Sequence, residues 1–522
     1  MAEPEAKTTR PSRKAYWLGA GIAVTFVVAG ALRFLALSHL WLDEALSVNI
    51  AGLPLDEIPA ALRHDGAPPL YYFLLHGWMA VFGSGEFAVR ALSGLFSVAA
   101  VPLIWVAGRR LGGRRVAWAA VLLLAASPFA IRQATEARMY SLMTVLALLG
   151  FLTLSDLLRQ SSGPERPSER QAWSRSVLLA LTTGAMMLTH YWSFYLIAVT
   201  AGWLAWRALR GRGPECEGAR RALVAMVAGG LLFLPWVPSF LYQVGHTGTP
   251  WGAAATPRWV FDTVFQFVDG NGDYGTPLGL AFYGLIGLAV FGRAVDRRLV
   301  EFDLHGRQPA RLIAELAFGA LALAILASIV TRSAYAARYT AVIFPLILLL
   351  VAMGTGVLAN NRIRNGVIAI CVVLGLVAIT PEAFGERTAA PKVAKVLAAQ
   401  AQPGDVVAYC PDQLGPSVSR LLPDNGLVQL TFPGALPPAR VDWVGYVDRN
   451  KAGKPLTFAQ MLVERAGPDH DVWVVWAPGY RTYKAKCQAL LSDMETLRPA
   501  ISRPVKLSTR YFEKAGLVRY QP

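Results

Sequence analysis

Apolar runs of about 20 residues, the length of a helix that crosses a bilayer, alternate along this chain with short polar loops. The pattern predicts about eleven spans. They lie near 15–37, 87–108, 116–131, 139–158, 176–190, 191–208, 222–242, 277–295, 312–331, 339–360 and 365–381. A further apolar stretch, 70–82, is too short to cross alone. The first run is longer than a signal-peptide core and is expected to be retained. From about residue 388 the texture changes. VVAYC, LVQLTF, VDWVGYV and VWVVWAP read as short buried strands, and PSVSRLL, FAQMLVERA and YKAKCQALLSDMETL read as helices between them. The expected architecture is mainly α: a polytopic transmembrane domain over 1–387, then a soluble α/β domain over 388–522. The second has no glycine-rich nucleotide loop and reads as a packing or acceptor-handling module.

Composition agrees with a membrane protein. Of 522 residues, 54% are hydrophobic and 16% charged, against about a quarter charged in soluble chains. The net charge of +16 would suit nucleic acid, but the basic residues sit in short loops between apolar runs. Lys7, Arg10, Arg13 and Lys14 come first, then Arg109, Arg110, Arg114 and Arg115. Arg207, Arg210, Arg212, Arg220 and Arg221 follow, then Arg293, Arg297, Arg298, Arg307 and Arg311, and finally Arg362 and Arg364. With the predicted spans, all fall on one side, which the positive-inside rule makes the cytoplasm. No nucleic-acid partner is expected. The reading is a plasma-membrane protein with a cytoplasmic N-terminus and an extracytoplasmic C-terminal domain. Of four cysteines, Cys410 and Cys487 fall in that domain, either bonded to each other or both free. None forms a zinc motif.

The outward loops are 38–86, 131–138, the turn at 189–191, 243–276 and 332–338. They hold Asp43, Glu44, His64, Asp65, Glu136, Arg138, His190, Asp269, Asp273 and Arg338. Acids beside a bilayer are expensive and point to function. A carboxylate that takes a hydroxyl proton and cations that steady a departing phosphate are what glycosyl transfer requires. Outside the membrane the donor would be a sugar on a polyprenyl phosphate.

Several motifs carry a resemblance. Trp41-Leu42-Asp43-Glu44 follows the first span, and His64-Asp65-Gly66-Ala67-Pro68-Pro69-Leu70-Tyr71-Tyr72 lies further along the same loop. Phe82-Gly83 through Arg90, Ser127-Pro128-Phe129, Glu136-Ala137-Arg138-Met139-Tyr140, His190-Tyr191, Arg338-Tyr339 and Phe344-Pro345 follow in order. The layout resembles the GT-C superfamily of polyprenyl-phosphate-sugar-dependent glycosyltransferases. It is most similar to the branch of protein O-mannosyltransferases and the lipid A aminoarabinose transferase. That resemblance covers roughly 15–380 and implies the following roles. Asp43 is the general base, with Glu44 as its helper or as a metal or structural contact, and Glu136 is the second acidic position. His64, Arg138, His190, Arg338 and Tyr339 hold the donor phosphate, with Arg338 the firmest because it is always charged and can bond bidentately. Asp65, Tyr71, Tyr72 and Tyr191 position substrate. A divalent metal, Mg or Mn, is left open. The implied reaction is inverting transfer of mannose or a pentose such as arabinose to a cell-envelope glycan, glycolipid or protein.

Each residue also has a plainer reading. Asp43 and Glu44 suit a helix N-terminus, Asp65 a turn before Pro68-Pro69, and Glu136 with Arg138 a structural ion pair. His190 suits a hydrogen-bonded turn, and Tyr191, Trp192 and Tyr195 an interfacial aromatic belt. Asp269 and Asp273 superficially resemble a calcium loop but lack its terminal glutamate. The functional alternatives are a flippase for a lipid-linked sugar, which would call for internal repeats or broken helices, and an inactive assembly partner.

Overall fold

The computed structural model describes residues 13–162, 168–211, 214–249, 252, 255–269, 275–331 and 333–522. Asp273, with most of the VDGNGDYG stretch, lies outside them. The described chain is mostly helical up to residue 384, because in hydrocarbon a backbone must satisfy its polar groups within its own segment. Five helices are long and apolar enough to cross a membrane: Glu86–Ala125, Tyr140–Arg159, Cys216–His246, Ala310–Thr331 and Asn361–Phe384. Shorter apolar helices include Gly19–Leu32, Leu70–Phe82, Gly275–Phe291 and Phe344–Val357. The stretches expected at 176–190 and 191–208 form the helices Glu169–Thr189 and Ser193–Arg210. The chain is a multipass membrane protein.

The two runs expected at 87–108 and 116–131 join into one helical stretch, Glu86–Ala125, broken by non-helical Gly112 and Gly113. Gly113 has φ +72°, a conformation natural to glycine. A Cβ on Gly108 would lie 2.8 Å from the Ala117 Cα, so the two arms fold back on each other with almost no space between them. The same device recurs at Gly354, where a Cβ would strike the Leu285 carbonyl. Small residues let helix backbones approach when lipid removes the hydrophobic drive between them.

Residues 390–520 hold a five-stranded sheet in the order Val428–Thr431, Val406–Cys410, Val472–Trp476, Gly516–Tyr520, Ile501–Val505. The first three strands are parallel and the last two pairings antiparallel, with Ala408 opposite both Leu430 and Val474. Val406–Cys410 is buried throughout, as a central parallel strand covered on both faces should be. VDWVGYV is not a strand: Gly445 turns left-handed (φ +60°) and starts the helix Tyr446–Ala452. Two strands were not expected, Ile501–Val505 and Gly516–Tyr520.

One face of this sheet shares its apolar core with the first loop. Trp41, Leu42 and Leu46 pack in the same cluster as Val406, Phe432, Trp443 and Val474. Cys410 and Cys487 are bonded across 77 residues of sequence. Cys487→Ser is therefore expected to lower the stability of this segment by about 2–4 kcal/mol, the usual worth of a bridge closing a long loop. The check is the denaturant midpoint of the purified protein, and an unchanged midpoint would show that the bridge contributes nothing.

Candidate active site

The helix Leu42–Ala51 begins immediately after Trp41, so Asp43 and Glu44 both lie in its first turn. They face different surroundings. Glu44 is 0% exposed. Arg90 grips it with Nε on one oxygen and Nη2 on the other, each at 2.7 Å, and the Ala137 amide donates to it at 3.0 Å. Arg90 spends its remaining donors on the Ser38 and His39 carbonyls. The Asp43 side chain is 16% exposed, with Oδ2 3.0 Å from Arg338 Nη2.

Around Asp43 the fold assembles residues from three more segments. The short helix Pro128–Ala134 starts at proline with Ser127 as its cap and delivers the 135–139 turn. From that turn Arg138 Nη1 donates to Ser47 Oγ at 2.9 Å and approaches the Asp43 carbonyl and the Tyr72 hydroxyl. His190, extended between two helices, stacks obliquely on Tyr339 with ring centroids 5.0 Å apart and lies 5.7 Å from Tyr140. Arg338 comes from the 3₁₀ turn Ala337–Val342, and its guanidinium sits 5.6 Å above Trp41 and 5.7 Å from Tyr339.

The charges in this group are unequal in role. Burial, then the positive fields of Arg138 and Arg338, push His190 down to about 3, so its ring is neutral at pH 7. Its Nδ1 accepts from the Trp192 amide at 3.2 Å, which leaves the proton on Nε2 as a donor. Asp65 accepts from the Tyr72 hydroxyl at 3.2 Å. Burial raises its pKa, opposed mainly by Arg138. Among the described residues, the buried polar atoms here that lack a partner in hydrogen-bond geometry include the Tyr140 hydroxyl, Arg138 Nε, Trp41 Nε1 and Asp43 Oδ2. A native structure rarely leaves such groups without a use, and the Tyr140 hydroxyl and Arg138 Nε, together with two arginines and a neutral histidine donor, form a cradle for an anion.

Other expected residues are placed differently. Glu136 is 2% exposed, with Oε1 2.7 Å from Arg132 Nε and 3.8 Å from Arg387 Nη1. Burial alone would raise its pKa, but these two arginines outweigh it and hold the carboxyl below the usual range. Arg138 does not pair with it; the partner is Arg132, whose other end reaches Glu382 at 2.6 Å. Glu44 and Glu136 thus both sit in buried ion pairs, each with an arginine at 2.7 Å, which for Glu44 agrees with the structural contact among its expected roles. His64 is 53% exposed and turns to Asp442 of the C-terminal segment, 3.0 Å away. Tyr71 is fully buried against Ser93. Tyr191 accepts from the Trp236 indole and donates to Gln243, a network that braces Leu62 and Ala67.

Trp41, Tyr140 and Trp192 belong to the group but received no individual site role from the sequence. The signal was present in the Arg138-Met139-Tyr140 motif and in the aromatic beside the Asp43 helix. Among the described residues no three or more His, Cys, Asp and Glu cluster closely enough to hold a metal ion.

Residues 66–238 match the family described as dolichyl-phosphate-mannose-protein mannosyltransferase. No curated protein sequence matches the chain significantly. Among solved structures, apo ArnT from Cupriavidus metallidurans is similar with a TM-score of 0.58 at 15% identity, over 97% of this chain and 98% of that one. The same protein bound to undecaprenyl phosphate gives 0.54 at 16% identity over the same shares. Archaeal oligosaccharyltransferase AglB from Archaeoglobus fulgidus gives 0.48 at 12% identity, over 89% of this chain and 70% of that one. By the likeness to ArnT the chain has the GT-C fold, and over residues 66–238 it is also similar to the protein mannosyltransferases.

Proposed function

We propose that the protein is an inverting glycosyltransferase. It moves mannose or a pentose such as arabinose from a polyprenyl phosphate to a hydroxyl of a cell-envelope glycan, glycolipid or protein, at the outer face of the plasma membrane. The observation that carries this reading is the partly open Asp43 carboxylate, 3.0 Å from Arg338, facing a cradle of Arg138, His190, Tyr140 and Tyr339. Asp43 takes the acceptor O–H proton as that oxygen bonds to the anomeric carbon. The bond from that carbon to the phosphate oxygen breaks, and its electron pair leaves with the phosphate. Arg338 and Arg138 offset the charge that develops there, while His190 Nε2–H and the Tyr339 hydroxyl donate to phosphate oxygens. One displacement on one face inverts the anomeric carbon. Undecaprenyl phosphate in the ArnT structure supports a polyprenyl donor, and the Cys410–Cys487 bond suits a C-terminal segment in an oxidising compartment.

The test is transfer by purified protein from a panel of synthetic polyprenyl-phosphate sugars. Turnover with one of them is expected; neither binding nor turnover with any would overturn the reading. Two variants sharpen it. Arg338→Lys, which loses the two-nitrogen grip, is expected to weaken polyprenyl-phosphate binding about tenfold. His64→Ala is expected to change it less than about twofold, since a half-exposed contact to Asp442 is worth little. Equal losses in the two variants would place His64 on the phosphate after all.

A further inference from the structure

The turn that presents Arg138 to the cradle is short and is held largely from outside. It runs from Thr135, at the end of the Pro128–Ala134 helix, to Met139, just before the Tyr140–Ser162 helix. Within it the Arg138 amide donates to the Glu136 carbonyl at 2.7 Å. Two further pegs come from other segments: the Ala137 amide donates to Glu44, and Ser93 Oγ donates to the Arg138 carbonyl, each at 3.0 Å. The last peg is Arg387, whose Nη1 donates to the Thr135 carbonyl at 3.1 Å and Nη2 to Thr135 Oγ1 at 2.8 Å. Among the described residues no other hydrogen bond reaches that carbonyl. Thr135 is 2% and Arg387 5% exposed, so neither group can turn to water instead. Arg387 Nε makes no hydrogen bond, and its hold is exerted through the two Nη atoms.

Arg387 is in turn placed by the C-terminal segment. It follows the Asn361–Phe384 helix by three residues. Its carbonyl accepts from the Glu513 amide at 2.8 Å, and the Ala389 amide donates to the Glu513 carbonyl at 3.0 Å. Its own amide donates at 2.8 Å to Ser38 Oγ, in the first loop ahead of Asp43. One buried arginine thus joins the last helix, the first loop and the Arg138 turn. Glu136 lies 3.8 Å from Nη1, but Arg132 at 2.7 Å is its nearer countercharge.

We propose that Arg387 is a positioning residue for the donor site. Its two bonds to Thr135 fix the turn from which Arg138 reaches Ser47 and the Asp43 carbonyl, and through it the C-terminal segment sets the geometry of the anion cradle. The inference rests on the reading of Arg138 as a contact of the donor phosphate. Without the guanidinium the Thr135 carbonyl is buried and unpaired, a penalty that the turn relieves by shifting, and Arg138 shifts with it. A misplacement of about 1 Å at a reacting centre costs on the order of a hundredfold, so a small movement of this turn is enough to be measured.

The experiment compares the full-length wild type with Arg387→Met, Arg387→Lys, Arg138→Ala, and Arg387→Met combined with Arg138→Ala. It measures hydrogen exchange of the 135–139 amides, binding of undecaprenyl phosphate and melting temperature. Methionine fills the space without a donor and leaves Glu136 to Arg132. Arg387→Met is expected to speed exchange of the Ala137 and Arg138 amides about tenfold, with the helices on either side unchanged, and to weaken undecaprenyl phosphate binding about tenfold. Arg387→Lys keeps the charge beside Glu136 but not the two-point hold, and the same local changes are expected at about threefold. On the Arg138→Ala background Arg387→Met should weaken binding by less than about twofold more, because the two act through one contact. Wild-type exchange of the turn in Arg387→Met would overturn the proposal, and so would wild-type exchange and binding in Arg387→Lys. Faster exchange throughout the molecule with a lower melting temperature in both variants, or fully additive losses with Arg138→Ala, would also overturn it. If Arg138→Ala binds undecaprenyl phosphate as the wild type does, the reading of Arg138 fails by itself, and exchange of the turn alone decides whether Arg387 holds it.

Discussion

Asp43→Asn is expected to reduce kcat by about 10²–10⁴-fold, the range for losing a general base, without weakening donor binding. The change is nearly isosteric, so the helix and its contact with Arg338 persist, but the amide cannot accept the acceptor proton. Donor affinity should hold or tighten, because the Arg338 guanidinium 3.0 Å away no longer shares its charge with a carboxylate. Kinetics on the preferred polyprenyl-phosphate sugar, beside equilibrium binding of polyprenyl phosphate alone, separates the two effects. Turnover within tenfold of wild type would remove Asp43 from the proton transfer. A loss of binding in step with kcat would make it a structural partner of Arg338 only.

The neighbouring residue should behave in the opposite way. Glu44→Gln leaves the Arg90 guanidinium buried, 4% exposed, without its countercharge. Removing one partner of a buried pair typically costs about 3–5 kcal/mol. The expected result is a large fall in melting temperature and yield, while the fraction that folds keeps most of its turnover. Replacing both partners by apolar residues, Glu44→Leu with Arg90→Met, should recover much of the stability, since a filled apolar site needs no paired charge. A stable Glu44→Gln protein with no turnover would instead return Glu44 to the chemistry.

That contrast shows where the sequence was informative. An acid pair just after the first apolar run marks the place, and Arg338-Tyr339 before another apolar run marks its cationic partner. Successive helix residues, however, point about 100° apart, and which of the two acids faces inward is set by Arg90, 46 residues away. No local pattern carries that. The same holds for His64, whose partner Asp442 is 378 residues distant, and for Arg138, which pairs with Ser47 and not with nearby Glu136. In the C-terminal segment the buried strands Val406–Cys410 and Val472–Trp476 were legible because they are continuous apolar runs. Ile501–Val505 was not, since an exposed, charged, proline-bearing stretch reads as loop, and an edge strand tolerates all three features. VDWVGYV misled because its apolar residues anchor a loop against the first loop's helix, and one left-handed glycine is enough to end the extended run.

The packing of Trp41, Leu42 and Leu46 into the core of the C-terminal sheet has a consequence for how the protein is made. The first loop leaves the ribosome early, but the Gly516–Tyr520 strand that completes that sheet is synthesised much later. At about 5–20 residues per second, the Asp43 helix waits roughly half a minute to a minute and a half for its packing partner. Until then its apolar face lacks the completed sheet as a cover, and under the proposed function the Asp43 helix is not yet held in place for transfer. A chain shortened at residue 510, which keeps every residue of the anion cradle, should therefore be inactive and a ready substrate for membrane quality-control proteases.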